Sequence, residues 1–353
     1  MRSASYSQWM KAKVRLIIMG KRLFIGYESA LYFWLRGSKG LWSSSPCRAA
    51  SLSQCAYNAS DVGSFRIPRE AFGPTPLHIM VDACDKRRAA SDCIFHVWSA
   101  PIAQKSFVDI GHGVFVASPT FCFIQVANRL SLFNLAELGY ELCGTYLRTP
   151  GIGNGFAQRA YLLATPQSIN WQLHKMPHMA GGIAVKRVIP YIVQGSASPA
   201  ETDMALKNHL PPRMGGYGFP LAELNALVRP TDEAVSIVGK RKLYPDALWR
   251  NQKTCLEYDS SLHHERREDR VRDSIKRNAL GCMGYTVITV TPTQLKSVEQ
   301  YHGVAVEVAR HLGFRIRTTS QSTLNKRFEL NEEIKRRMAE DAKPIEWPYY
   351  ESD

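Results

Sequence analysis

The chain has 353 residues, 45% of them hydrophobic and 10% aromatic. That is enough apolar side chain for packed cores, which excludes wholesale disorder. Lys and Arg outnumber Asp and Glu 45 to 31, for a formal net charge of +14, a balance that favours a polyanionic partner such as nucleic acid over an acidic protein or a lipid surface.

The basic excess lies mainly in the N-terminal half. Residues 1–50 hold nine Lys/Arg against one acid, Glu28, and residues 151–200 hold Arg159, Lys175, Lys186 and Arg187 with no acid at all. The apolar run Val14–Gly20 is too short to span a bilayer and is followed by Lys21 and Arg22, so neither a membrane span nor a signal peptide is expected. None of the eight cysteines forms a CxxC pair. Cys84, Cys93 and His96 fit no common zinc spacing, and the expectation is reduced, buried thiols in a cytoplasmic protein.

In chain order, residues 13–25 read as one or two strands and Gly26–Gly37 as a helix ending at glycine. Residues 38–63 read as a loop. Thr75–Ala83 and Cys93–Ser99 alternate as strands do. Gly113–Leu147 reads as a strand, a helix start at Ser118-Pro119, and apolar helices broken near Ser131. Thr149–Gln158 is a glycine-rich turn; no Lys-Ser/Thr follows it, so it is not a phosphate-binding loop. A short helix is expected from Lys186 to Val193. Gly195–Glu201 then punctuates the chain, and the domain boundary is placed there.

The remainder reads helix (199–210), glycine-rich loop (211–220), strand (224–229), strand (243–249), strand (254–259), helix (265–281), strand (285–291) and helix (296–312). That is a mixed α/β order with a hairpin inside it. The charged tail from Gln321 is expected to be a solvated helix with i,i+4 ion pairs. The domains expected are 1–194, α+β and basic; 195–318, α/β; and 319–353, a helical tail.

The hairpin carries three acids where strands usually avoid them. With Arg250–Lys253 as the turn, Trp249 faces Thr254 and Asp246 falls opposite Glu257. Period two places Glu257 and Asp259 on one face. Opposed like charges destabilise a sheet, unless a divalent cation lies between them. Mg²⁺ suits such a patch, because it takes one or two carboxylates plus water and a phosphate. The alternative is an edge hairpin whose acids meet solvent and nearby arginines such as Arg266 and Arg267. Ser198-Pro199-Ala200-Glu201 also reads as a capping box, and Asp273 with Arg277 as a helix ion pair.

The sequence "PDALW…CLEYDSSLHH", followed by "RNALGCMGYTVITVT", resembles the Vsr-like (very-short-patch-repair) branch of the PD-(D/E)XK nuclease superfamily over residues 196–312. Pro245-Asp246 matches the first element, Glu257-Tyr258-Asp259 the second, and His263 or His264 the trailing histidine. Asp273, Arg277 and Leu280 fit the following helix, Gly284–Thr291 the closing strand, and Ser198–Glu201 the opening helix. The resemblance implies a restriction-endonuclease-like mixed sheet, Mg²⁺ as cofactor, DNA as partner, Asp246, Glu257 and Glu201 as metal ligands, and Asp259 and His263 as assisting catalytic residues. The pattern departs at Asp259, where the superfamily places a lysine, and at Ser260, where it usually has glycine.

Residues 23–36 and 113–148 are similar to parts of the abortive-infection (AbiEi-type) antitoxin and viral-defence regulators. That likeness implies an α+β N-terminal domain and a toxin-system partner. Two functions therefore stand side by side: a Mg²⁺-dependent DNA endonuclease in phage defence or repair, and a non-catalytic DNA-binding regulator or antitoxin. RNA stays open as a substrate.

Overall fold

In a computed structural model the described residues are 20–37, 51–65, 67–74, 76–88, 90–150, 155–259, 267–317 and 320–341. The chain divides into two compact units, one of Met1–Phe33 and Gly37–Ser118, the other of Trp34–Arg36 and Pro119–Asp353. The boundary expected near Gly195 therefore lies inside the second unit.

The first unit is built on a five-stranded mixed sheet. Its strands are β1 (Leu23–Ile25), β2 (Leu77–Val81), β3 (Cys93–Val97), β4 (Phe107–Gly111) and β5 (Val114–Ala117), in the order β3-β2-β1-β5-β4. All three residues of β1 are fully buried, as the centre of a two-faced sheet requires. β2 and β3 were legible from alternation, and β5 as the strand before the helix start at Ser118-Pro119. β4 was not, because Asp109 and the Gly111-His112-Gly113 turn interrupt its apolar pattern. All three turn residues have positive φ, which glycine supplies at the first and third. The expected helix at Gly26–Gly37 forms as α1 (Tyr27–Tyr32) and a π-turn over Phe33–Gly37. The expected loop over 38–63 holds a short helix, α2 (Ala59–Gly63). Residues 13–19 and 38–50 lie outside the described residues.

The second unit opens with α3 (Pro119–Val126) and α4 (Leu132–Leu142). Ser131 caps α4 by accepting the amide of Asn134, which explains the break. The turn beyond becomes a hairpin of β6 (Tyr146–Arg148) and β7 (Phe156–Gln158). α5 (Pro166–Lys175) and α6 (Gly182–Val188) follow. α6 begins four residues before the expected Lys186 and yields to a 3₁₀ turn over Ile189–Tyr191, where Pro190 cannot extend an α-helix. α7 (Pro199–His209) is as expected.

A four-stranded sheet comes next: β8 (Glu223–Leu224), β9 (Ala247–Trp249), β10 (Thr254–Tyr258) and β11 (Thr286–Val290), in the order β11-β10-β9-β8. β8, β9 and β10 form an antiparallel meander; β11 joins parallel to β10 through α9 (Arg267–Cys282). The expected strand at 224–229 shrinks to β8 plus a single bridge between Val228 and Leu243. α8 (Asp232–Val238) was not expected, although its capping Thr231, acidic first turn and left-handed Gly239 are ordinary helix-end signals. The helix expected at 296–312 forms as α11 (Val298–Leu312), capped by Ser297 and preceded by a short unexpected helix, α10 (Pro292–Lys296). The core under this sheet is Val228, Ala234, Leu243, Leu248 and Cys255, closed by Ala279 and Leu280 of α9.

The charged tail forms α12 (Gln321–Asp341), but it is not a solvated helix. Its outer ion pairs are i,i+3 rather than i,i+4: Lys326–Glu329, Glu332–Lys335 and Glu333–Arg336. Its inner face buries Leu330, Ile334 and Arg337. The glycine-rich loop at 211–220 makes this approach possible. A Cβ on Gly215 would lie 2.3 Å from the Lys326 carbonyl oxygen of α12, and one on Gly216 would lie 1.9 Å from that of Leu210.

His209 ties three segments together. Its Nε2 accepts the Ala222 amide at 3.0 Å, so Nδ1 carries the proton and donates to the Tyr140 hydroxyl at 2.8 Å. Tyr140 in turn donates to the Tyr191 carbonyl at 2.7 Å. Burial pushes His209 down to about 3. Below the ordinary histidine value of about 6.5 the unfolded chain binds a proton the folded one refuses, so stability is lost as pH falls from about 6.5 towards 3, by about 1.4 kcal/mol per unit. Urea midpoints of wild type and His209→Gln, compared from pH 8 to 4.5, should diverge in this way. Parallel curves would remove His209 as the acid-sensitive group.

Candidate acidic cleft

The β9–β10 hairpin has the register that its sequence specifies. Thr254 pairs with Trp249, Cys255 with Leu248 and Leu256 with Ala247. Asp246 and Glu257 are the next residues on either strand, where the ladder stops. Pro245 has no amide to continue it, and the Asp246 side chain takes over: Oδ2 accepts the Tyr258 amide at 2.7 Å. Cys255 and Glu257 share the face turned to α9, by the period of two. Cys255 enters the core with Ala279 and Leu280, which places Glu257 one residue further out, over the rim of α9.

There Glu257 meets Lys276. The ammonium lies 2.7 Å from Glu257 Oε2 and donates also to the Tyr244 carbonyl at 2.8 Å. Glu257 Oε1 is buried and has no hydrogen-bond partner. Asp246, Glu257, Asp259, Asp273, Lys276 and Arg277 all line one cavity of about 150 Å³ between β10, β11 and α9. That is room for a hydrated ion or a phosphate group, since water occupies about 30 Å³ per molecule.

Charge in the cleft is under-compensated. Burial raises the Glu257 carboxyl above its ordinary value, and Asp246 raises it further, while Lys276 pulls the other way. Burial likewise raises Asp246, against Lys276 and the Tyr258 amide. Burial disfavours the Lys276 charge, but Glu257 and Asp246 outweigh it and hold the ammonium above the ordinary lysine range. One lysine therefore serves two buried carboxylates.

Glu201, at the start of α7, stands behind Asp246. Burial raises its carboxyl, and the Asp246 charge adds to that. Its oxygens are already engaged. Oε2 accepts the Ala197 amide and the Asn225 side chain at 2.8 and 2.5 Å, and Oε1 accepts the Ser198 hydroxyl at 3.0 Å. It thus caps α7 through the residue before the N-cap rather than through the Ser198 amide of a capping box. Asp259 continues β10, donating its amide to the Val290 carbonyl at 2.9 Å. His263 and His264 lie outside the described residues.

Among the described residues, no group of three or more His, Cys, Asp or Glu side chains converges as a metal cage. The donor set present is smaller: Asp246 and Glu257, the latter with Oε1 buried and partnerless, at a cavity of about 150 Å³. That set fits Mg²⁺, which keeps most of its shell as water and phosphate oxygen. Lys276 is the residue that reading the sequence overlooked. It comes from the next helix, 19 positions after Glu257, and the available signal was the single lysine on the face of α9 that also carries Asp273 and Leu280.

The seven described cysteines are all free, and five are buried. No helix among the described residues is long and apolar enough to cross a membrane. No family model, curated protein or solved structure matches this chain.

Proposed function

We propose that the cleft is the active site of a Mg²⁺-dependent nuclease acting on DNA in the cytoplasm, within a restriction-endonuclease-like fold of the Vsr-like kind. The observation that carries this reading is the buried Asp246–Glu257 pair, which Lys276 compensates only in part, in the lining of a cavity of about 150 Å³. The order α7, β8, α8, β9–β10, α9, β11 supports it, since apart from α8 it is an opening helix, a meander whose hairpin carries the acids, a covering helix and a closing parallel strand.

Asp246 and Glu257 are the residues that would hold the ion. When bound, Mg²⁺ supplies charge neutralisation at the phosphodiester and a lowered pKa for an attacking water. Lys276 fixes Glu257 through Oε2, leaves Oε1 without a hydrogen-bond partner, and puts a positive charge where the scissile phosphate gathers negative charge. It takes the part of the lysine that the pattern lacks at Asp259. Glu201, held by the α7 cap, shapes the field behind Asp246.

The test is cleavage of supercoiled plasmid and short duplexes by the purified protein. Cutting with Mg²⁺ or Mn²⁺ that EDTA abolishes and fresh Mg²⁺ restores is the expected result. Retained DNA in a gel shift with no cutting under any metal would instead favour the regulator or antitoxin role.

A further inference from the structure

A second surface in the same unit stands apart from the acidic cleft. From Leu142 to Ala200 the sequence contains no Asp or Glu, in a chain that holds 31 of them. α5 and α6 lie within this stretch. Each turns its apolar side inward: Ile169, Leu173 and Met176 are buried at α5, and Val185, Val188 and Ile189 at α6.

The outward faces follow one pattern. On α5, Trp171, His174 and Lys175 are exposed at i, i+3, i+4 spacing, and on α6 Ile183, Lys186 and Arg187 repeat that spacing. Trp171 is 41% exposed and Ile183 76%. Lys175, Lys186 and Arg187 form no ion pair with any described residue, whereas Arg148 pairs with Glu137 and Arg159 is spent on the carbonyls of Glu141 and Gly144. Cations without ion pairs in an acid-free stretch of chain, beside an exposed indole, give the two elements that single-stranded nucleic acid needs: charge along the phosphates and a flat ring for an unpaired base.

We propose that the outer faces of α5 and α6 bind single-stranded nucleic acid, with Lys175, Lys186 and Arg187 on consecutive phosphates and Trp171 stacked on a base. A duplex keeps its base faces covered and offers the indole nothing to stack on. An anionic membrane is the weaker fit, because the apolar faces of both helices point inward and one apolar residue per helix is too little to insert.

The assay is fluorescence anisotropy with a labelled twelve-residue oligothymidylate, using the full chain in EDTA, so that it reads binding whether or not the cleft cuts. Trp171→Ala should weaken binding roughly 5- to 100-fold with little change in salt dependence. Lys175→Glu/Lys186→Glu/Arg187→Glu should reduce the slope of log affinity against log salt by about 2, at roughly 0.7 per phosphate. All four side chains are exposed, and unchanged circular dichroism would verify folding. Three outcomes would overturn the assignment: wild-type affinity in both variants, tighter binding of a duplex of equal length, or loss of phosphatidylserine-vesicle binding in the triple variant with oligothymidylate binding intact.

Discussion

Asp246→Asn and Glu257→Gln should each lower Mg²⁺-dependent cleavage by about 10³-fold or more while leaving the protein folded, since charge neutralisation at a phosphodiester is worth several kcal/mol. The amides are chosen for what they keep. Asn at 246 still offers an oxygen to the Tyr258 amide, which Ala would orphan at a cost of about 1–3 kcal/mol. Gln at 257 keeps the volume and still accepts from Lys276. Lys276→Met belongs to the same experiment. It removes the ammonium that pairs with Glu257 beside two buried carboxylates, so cleavage should drop about 10²–10⁴-fold. Single-turnover rates and melting temperatures, measured together, separate chemistry from folding. Asp246→Asn cutting within tenfold of wild type would sink the proposal for the cleft, whatever the effect of Lys276→Met.

The second large effect is on stability. Arg337, on the inner face of α12, lies 2.7 Å from Glu137 Oε1 on α4 and pairs also with Asp203 on α7. Arg337 and Asp203 have side chains 4% and 0% exposed. Arg337→Met leaves two buried carboxylates facing each other, and removing one member of a buried pair costs about 3–5 kcal/mol. Adding Asp203→Asn should recover part of that loss, because the stranded charge goes with it.

The pH dependence follows from Asp203. Burial raises its carboxyl to about 6, with Arg337 opposing the rise. A folded pKa above the unfolded one means that the folded state binds the proton more tightly, so stability falls as pH climbs from about 4 to 6. Without Arg337 the folded pKa climbs further. The deficit of Arg337→Met should therefore be largest above pH 6 and shrink in acid. A urea midpoint within 0.5 kcal/mol of wild type at pH 7 would show that α12 is held by its apolar contacts alone.

How much of this was legible beforehand differs by element. The hairpin was readable to the residue, because period-two alternation and a polar four-residue turn fix register locally. The breaks at Ser131 and at α7 were readable from their caps for the same reason. β4 and α8 were missed, one because a bulged glycine turn broke its pattern, the other because its cap signals went unread. The solvated tail was misread, because it depends on which distant surface meets it. Gly215 and Gly216 announced a close approach, but nothing near them named α12 as the helix approaching.

The site divides the same way. Asp246, Glu257 and their opposition were properties of neighbouring residues, so local rules sufficed. Lys276 was not, because a crossover helix brings it back over β10 only once β11 has joined the sheet. The sequence by itself determined the local terms: strand register, helix caps, the acid-rich hairpin and the acid-free stretch from Leu142 to Ala200. Tertiary structure decided which charges became partners. It sent Lys276 to Glu257, Arg337 to Glu137 and Asp203, and the Asn225 side chain to Glu201. Those pairings rest on burial and on contacts between residues far apart in the chain, which spacing along it cannot encode.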